Sequence, residues 1–326
     1  MADLSWVIGA GGLLGSAVRR QLAVAGLPRF DGPRIHWQGG TASTDLGAGL
    51  QALVSAAGRG TWQVFWCAGA AVTTSDVDSL DHEFRTLRYF LDRVGALPRD
   101  QRERGSIVFA SSAGAVYGGS TAPPFTEDSS VSPLGHYGEA KLRAEDALQS
   151  LSAGAGIPIV LARIANLYGP GQNLAKQQGI VSKLCFSTVT RTPLPVFVSL
   201  DTLRDYLYVD DCARMLIRCG ERIGHRDAAP RLHLKIVASG HAVSIAALLG
   251  QFRLLGGPQP LVVMGTSRES SLQSRDLRLR STRWTDIGPG SSTTLSEGIA
   301  RTIADMRLVW LQQGRFAETL RTARSV

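Results

Sequence analysis

Apolar residues fall in short unbroken runs through the first half of the chain. Each run is followed by a stretch in which they recur every three or four positions. Leu4-Ser5-Trp6-Val7-Ile8 reads as a buried strand, Gly9–Gly15 as the turn leaving it, and Leu14, Ala17, Val18, Leu22 and Ala25 as one face of a helix. The same reading predicts strands at Arg34–Gln38, Gln63–Cys67, Ser106–Ala110 and Ile157–Ala162. Their Val, Ile, Phe and Trp suit a sheet covered on both faces. Helices are predicted near 46–57, 79–94 and 136–152. Such alternation specifies parallel βαβ units with right-handed crossovers, hence an α/β fold with a Rossmann-like doubly wound parallel sheet.

Beyond residue 168 the pattern loosens. Tyr168-Gly169-Pro170-Gly171 and Thr192-Pro193-Leu194-Pro195 are strong breakers, and short mixed elements follow as far as a helical stretch from about Leu295 to Leu311. The expected organisation is a larger α/β domain over 1–170, rejoined by about 204–237, and a smaller mixed α/β lobe over about 171–203 and 238–326. Composition fits a folded chain: 44% of the 326 residues are hydrophobic and 19% charged, which excludes a disordered one. The net charge of +8 comes from 35 Lys and Arg, only four of them Lys (Lys141, Lys176, Lys183 and Lys235), so 31 are Arg. They are scattered rather than clustered, which favours a solvated surface over a nucleic-acid face. Cys67, Cys185, Cys212 and Cys219 form no CxxC pair and have no metal-ligand spacing, so reduced thiols and no metal are expected. No run of eighteen apolar residues predicts a membrane span, and the first residues lack the basic region of a signal peptide. A cytoplasmic protein is the expectation.

Chemistry enters with the glycines. Gly9, Gly12 and Gly15 sit between the first strand and helix as GxxGxxG, where Leu14 spoils the alternative GxGxxG register. Small residues there let a pyrophosphate approach the helix's free N–H groups. An acidic residue about twenty positions on normally holds the adenosine ribose. With the second strand at 34–38, Asp31 precedes it and sits at the wrong end, and no Arg stands at its far end to grip a 2′-phosphate. The cofactor reads as NAD or NADP.

Tyr137 and Lys141 form YxxxK within a predicted helix, so both side chains share one face. An ammonium beside a phenol stabilises its anion, and the pair can exchange a proton with a substrate hydroxyl or carbonyl. Upstream, Ser111 and Ser112 end a predicted strand at the carboxyl edge, where open parallel sheets bind ligands. Either hydroxyl could donate to a substrate oxygen.

The order Gly9-x-x-Gly12-x-x-Gly15, Ser111-Ser112-Ala113-Gly114-Ala115-Val116-Tyr117-Gly118 and Tyr137-x-x-x-Lys141 resembles the extended short-chain dehydrogenase/reductase family. The closest resemblance is to its NAD-dependent epimerase/dehydratase group, which acts on nucleotide sugars. The likeness continues through Arg163–Pro170, Arg204–Asp211 and Ser292–Ile303. It implies Tyr137 as acid/base, Lys141 as its tuning partner and ribose contact, and Ser112 as orienter of the substrate oxygen, with Ser111 in reserve. It implies cofactor contacts from Gly9, Gly12, Leu13, Leu14, Gly15, Gln38, Asp45, Leu46, Cys67, Ala68, Gly69 and Ala110, besides Tyr137 and Lys141. Asn166 and Arg204 would meet the substrate's nucleotide diphosphate. The family's asparagine in the 79–94 helix is missing, with Arg85 nearest, and Glu127, Asp128 and His136 read as loop residues. Ala113-Gly114-Ala115 stands where dehydratases carry an acid, which disfavours sugar 4,6-dehydration. The resemblance therefore implies an epimerase working by reversible hydride transfer at a sugar carbinol. An NADPH-dependent reductase of a keto-sugar or other carbonyl is the alternative, with a non-catalytic dinucleotide sensor behind both. A homodimer is implied as well.

Overall fold

A computed structural model gives the fold. It describes residues 2–38, 40–69, 75–172, 179–224, 231–265, 274–288, 290 and 293–323, with side chains as far as 312. Lys176, Ser292 and parts of the expected second lobe lie outside the described residues.

The first half contains β1 (Leu4–Ile8), α1 (Leu13–Val24), β2 (Arg29–Phe30), α2 (Ala42–Ala57), β3 (Trp62–Trp66), α3 (Val77–Gly95) and α4 (Arg99–Arg102). Then come β4 (Gly105–Ser112), α5 (Ala113–Val116), α6 (His136–Ala155), β5 (Ile159–Ile164) and β6 (Asn166–Tyr168). The second half contains α7 (Ile180–Thr190), β7 (Leu194–Val196), β8 (Leu203–Tyr208), α8 (Val209–Ile223) and β9 (Leu232–Val237). It closes with β10 (Ala242–Ser244), α9 (Ile245–Leu254), β11 (Val262–Met264), β12 (Asp276–Leu277) and α10 (Leu295–Ala323).

Six strands form one parallel sheet in the order β2-β1-β3-β4-β5-β9. Side chains alternate across it as a strand's two-residue period requires. Val7, Val108, Val160 and Ala162 enter the core under α1 and α8. Trp6, Ile8, Ile107, Phe109, Ile159 and Leu161 enter the opposite core under α2, α3 and α6. Burial on both faces is why these strands read as continuous apolar runs.

The predicted strand at Arg34–Gln38 is not formed; the second strand is β2, two residues long, with Ser5 opposite Arg29 and Trp6 opposite Phe30. Pro33 interrupts the chain ahead of Ile35, and the His36 N–H goes to Asp45 Oδ2 at 2.9 Å rather than to a neighbouring strand.

A second sheet brings β10, β12 and β6 onto β8, and β7 pairs with β11. Residues 203–208 thus pair outside the large sheet, while β9 joins it. Around them Tyr168, Leu184, Tyr206, Leu248, Phe252, Ile299 and Ile303 form a third core.

Glu127 is more than a loop residue. Only 4% exposed, its carboxylate accepts hydrogen bonds from Ile236 N, Thr282 N, Thr282 Oγ1 and the Ser281 hydroxyl. Ser281 also meets the buried Lys235 ammonium at 2.6 Å, so the loop at 281–284 is bound to β9 through both charges.

Candidate active site

The sheet's order reverses around β1, whose chain turns out to β2 and returns as β3 on the other side. Ligands of open α/β sheets lie outside the carboxyl ends of the strands at such a point. A cavity of about 1430 Å³ opens there, beyond the roughly 300–1,000 Å³ of a single small-molecule site.

One wall is the glycine turn. Gly9 adopts φ +86°, and a Cβ on it would lie 2.5 Å from the Ala68 nitrogen, because β1 and β3 leave the sheet almost touching. A Cβ on Gly15 would stand 2.2 Å from the Gly9 carbonyl oxygen, so this glycine lets α1 close onto the turn. Gly12 caps α1 with no acidic residue in its first turn, leaving a helix N-terminus suited to an anion. Gly9, Gly12, Leu13 and Leu14 line the cavity with Cys67, Ala68, Gly69 and Ala110. Burial pushes the Cys67 thiol up to about 12, which keeps it protonated and inert.

At the adenosine end the strand assignment changes the chemistry. Because β2 ends at Phe30, Asp31 follows the strand directly, at the carboxyl edge and on the cavity wall. The expectation that it stands at the wrong end is therefore overturned: it occupies the place of a ribose-binding acid, twenty-two positions after Gly9. Arg19, Arg29 and Arg34 border the cavity beside it, so guanidinium groups do stand at the strand's end. Gln38 lines the cavity too. Asp45 and Leu46 do not: the Asp45 carboxylate takes His36 N, His36 Nδ1 and Thr41 Oγ1, while Leu46 is wholly buried in the core. Those bonds, the His36 N–H first, hold the Asp45 carboxyl below the ordinary carboxylate value.

Across the cavity, Tyr137 and Lys141 stand on the first turns of α6, both on the wall and half-buried. The Lys141 ammonium lies 5.5 Å from the Tyr137 ring centre and 5.8 Å from that of Phe109. Ser111 and Ser112 line the same cavity from the end of β4 and differ in what they have left to give. Ser111 Oγ donates its one proton to Glu145 Oε1 at 2.5 Å. Ser112 caps α5, and its Oγ accepts from Ala115 N at 3.3 Å, which leaves its own proton for the cavity.

Asn166 is on the wall, its amide donating to the Asp205 carbonyl at 3.2 Å. Arg204 does not line the cavity. It lies half-buried on β8, two residues before Tyr206, the strand partner of Asn166, and donates to its neighbour's carbonyl at 2.8 Å. Burial lowers its pKa from the ordinary guanidinium value. A local ion pair does not explain it: Asp201 pairs with Arg275, and fully buried Asp205 accepts from Ser239 N and Gly240 N.

Sequence reasoning missed Glu83, which reaches the cavity from α3, whereas Arg85 is exposed and bonds to the Asp81 carbonyl. Among the described residues no cluster of three metal-ligating side chains occurs, and no helix is long and apolar enough to cross a membrane.

Over 176 residues the chain is 28% identical to the dTDP-4-dehydro-6-deoxyglucose reductase of Escherichia coli, which covers 53% of this chain and 51% of that one. The match thus spans about half the length of that curated relative. The UDP-glucose 4-epimerase of Thermotoga maritima, solved with UDP-glucose, superposes with a TM-score of 0.75 at 19% identity, over 94% of this chain and 99% of that one. The UDP-glucose 4-epimerase of Thermus thermophilus, solved with NAD, gives 0.72 at 19% identity over 93% and 99%. These two likenesses establish the fold. Over residues 52–228, just over half its length, the chain matches the model of a single family, and it belongs to that family: the NAD dependent epimerase/dehydratase family.

Proposed function

We propose that this protein is a nucleotide-sugar epimerase that binds NAD and acts by reversible hydride transfer at a sugar carbinol, with Tyr137 as acid/base. The observation that carries the reading is that Tyr137, Lys141 and Ser112 share one wall of a cavity whose other end is a glycine turn and a carboxylate. The residues fit a dinucleotide. Gly9 and Gly15 leave a cradle that a Cβ would fill, α1 offers its N-terminus to the pyrophosphate, and Asp31 stands where the adenosine diol would lie. Bound in that cradle, NAD would supply the hydride acceptor and donor that the reversible oxidation requires.

The remaining steps belong to this chain's own side chains. Tyr137, acting as the phenolate that the Lys141 charge favours, takes the carbinol proton as the carbonyl forms and becomes the phenol, which gives the proton back when the carbonyl is reduced. Ser112 donates its uncommitted proton to the substrate oxygen, favouring the carbonyl state. Asn166, on the cavity wall, serves the nucleotide diphosphate, whereas Arg204 stands away from that wall. Ala113-Gly114-Ala115 offers no acid before the Val116-Tyr117-Gly118 segment, which supports epimerisation over 4,6-dehydration.

An epimerase keeps its dinucleotide through turnover, whereas a reductase exchanges it each cycle. Heat-denatured purified protein should therefore release nicotinamide nucleotide into the supernatant. Tyr137→Phe should abolish turnover of a UDP-hexose and dTDP-hexose panel while NAD still binds. Wild-type turnover in that variant overturns the acid/base role.

A further inference from the structure

We propose that Asp305 is a positioning residue for the cofactor: it ties the turn at 169–172 down against the start of α1, and that turn must lift before a bound dinucleotide can leave. The inference rests on the dinucleotide reading above and adds to it the element that holds the nucleotide through turnover.

The chain leaves β6 through Gly169-Pro170-Gly171-Gln172. Gly171 and Gln172 line the cavity, as Gly11, Gly12 and Leu13 of the glycine turn do. A Cβ on Gly171 would lie 3.9 Å from the hydroxyl oxygen of Ser16, which stands on the first turn of α1. The 169–172 turn therefore runs close beside the helix end to which the pyrophosphate is assigned.

Its two ends are held differently. Tyr168, just before it, is 2% exposed and sets its ring edge-on to that of Tyr208 at 5.7 Å. Gly169, at φ +146°, is pressed onto α8, where a Cβ would stand 2.6 Å from Val209 Cγ1. Farther out, Pro170 has no N–H to donate, and Gly171 is exposed and brings no side chain to pack. That outer part is held by the Gly171 N–H, which donates to Asp305 Oδ2 at 2.9 Å. Asp305 is itself firmly placed, because its α10 neighbours Ile303 and Met306 are buried in the third core.

Charge alone gives a carboxylate no reason to stand near a pyrophosphate, which it repels. Its use here is as an ionised acceptor, which makes a stronger hydrogen bond than a neutral one. Lifting the turn breaks that bond, so the bond slows release of whatever the turn covers. Tethering and repulsion have opposite signs. Loss of the carboxylate should speed release if the tether governs and slow it if repulsion does.

The test is the release of radiolabelled NAD from the loaded full chain, chased with excess unlabelled NAD and followed by gel filtration. Asp305→Ala should release NAD about tenfold faster than wild type or more, the worth of one hydrogen bond to a charged acceptor. Asp305→Asn keeps an acceptor oxygen and should stay within about threefold of wild type. Glu297→Ala, which breaks the exposed Glu297–Arg301 pair two turns earlier on the same helix, should release NAD at the wild-type rate. Asp305 is only half-buried and alanine is a good helix former, so the variant should fold, and its melting temperature without nucleotide checks this. Release from Asp305→Ala at the wild-type rate or slower overturns the proposal and leaves the NAD site standing. Equally fast release from Glu297→Ala overturns it too, since any loosening of α10 would then suffice. Failure of the wild type to bind NAD overturns the dinucleotide site itself, and this proposal with it.

Discussion

Arg163 and Glu145 join β5 to α6 through a forked ion pair that solvent barely reaches: their side chains are 8% and 5% exposed. Arg163 Nε lies 3.1 and 3.2 Å from the two carboxylate oxygens and Nη2 lies 2.6 Å from one of them. Nη1 turns away to the Tyr117 hydroxyl at 2.7 Å, which itself donates to the Thr126 carbonyl at 2.9 Å. Glu145 is one helical turn beyond Lys141 and two beyond Tyr137, so the pair fixes α6 against β5, the strand beside the one that carries the serines. Removing one partner strands a charge in the interior. Glu145→Gln or Arg163→Met alone should cost about 3–5 kcal/mol by urea unfolding, whereas Glu145→Met with Arg163→Met should cost clearly less than the two losses added. Additive losses would show that the two groups act independently.

The two serines should separate in the same way. Ser111 has spent its proton on Glu145, so Ser111→Ala should lower stability by about 1–3 kcal/mol and reduce turnover only through that loss. Ser112 retains a proton for the substrate oxygen, so Ser112→Ala should cut kcat about 10²–10³-fold, the worth of one such donor, with little change in KM. Parallel measurement of kcat and melting temperature decides, and a reversed pattern would make Ser111 the substrate contact.

That division was invisible in the sequence, where Ser111 and Ser112 are equivalent neighbours. What a strand's own residues encode was legible. β1, β3, β4 and β5 are central, covered on both faces and hence continuously apolar, and α1, α2, α3 and α6 carry the matching helical period. β2 was misplaced because an edge strand of two residues, Arg29–Phe30, leaves almost no hydrophobic signature. Ile35 supplied a false one, since it packs against the core from a loop. The error carried Asp31 with it, placing at the wrong end of a strand a residue that directly follows β2. Glu145 and Arg163 are eighteen positions apart on different elements, and only the fold brings them together. Tyr137 and Lys141 were legible because one helical turn is a local relationship.

The glycine turn makes a sharp contrast. Gly15→Ala drives a methyl to 2.2 Å from the Gly9 carbonyl, backbone against backbone with nothing flexible to yield. A Cβ on Gly11 meets nothing within 4 Å. Gly15→Ala should therefore lower stability by about 1–3 kcal/mol or more and weaken NAD binding, while Gly11→Ala should melt within a degree or two of wild type. Equal melting temperatures in the two variants would refute the close α1–turn packing as the reason for Gly15.

Glu127 sets a pH dependence that can be signed in advance. Burial works against its charge, but the hydrogen bonds from Ser281, Thr282 and Ile236 outweigh it and hold the carboxyl below the ordinary value. A carboxyl whose folded pKa is depressed contributes stability that is fully present above its unfolded value, about 4.3, and is lost as pH falls through the folded value. Glu127→Gln keeps the size of the side chain and removes the titration. The variant should be less stable than wild type near neutrality, by an amount that stays constant down to about pH 5 and shrinks below about pH 4. Urea-unfolding free energies of both proteins across that range measure the difference directly. A gap that stays constant or widens with acid would mean that Glu127 does not carry its charge in the folded state, and that the loop at 281–284 is held to β9 by neutral hydrogen bonds and the Lys235 ammonium alone.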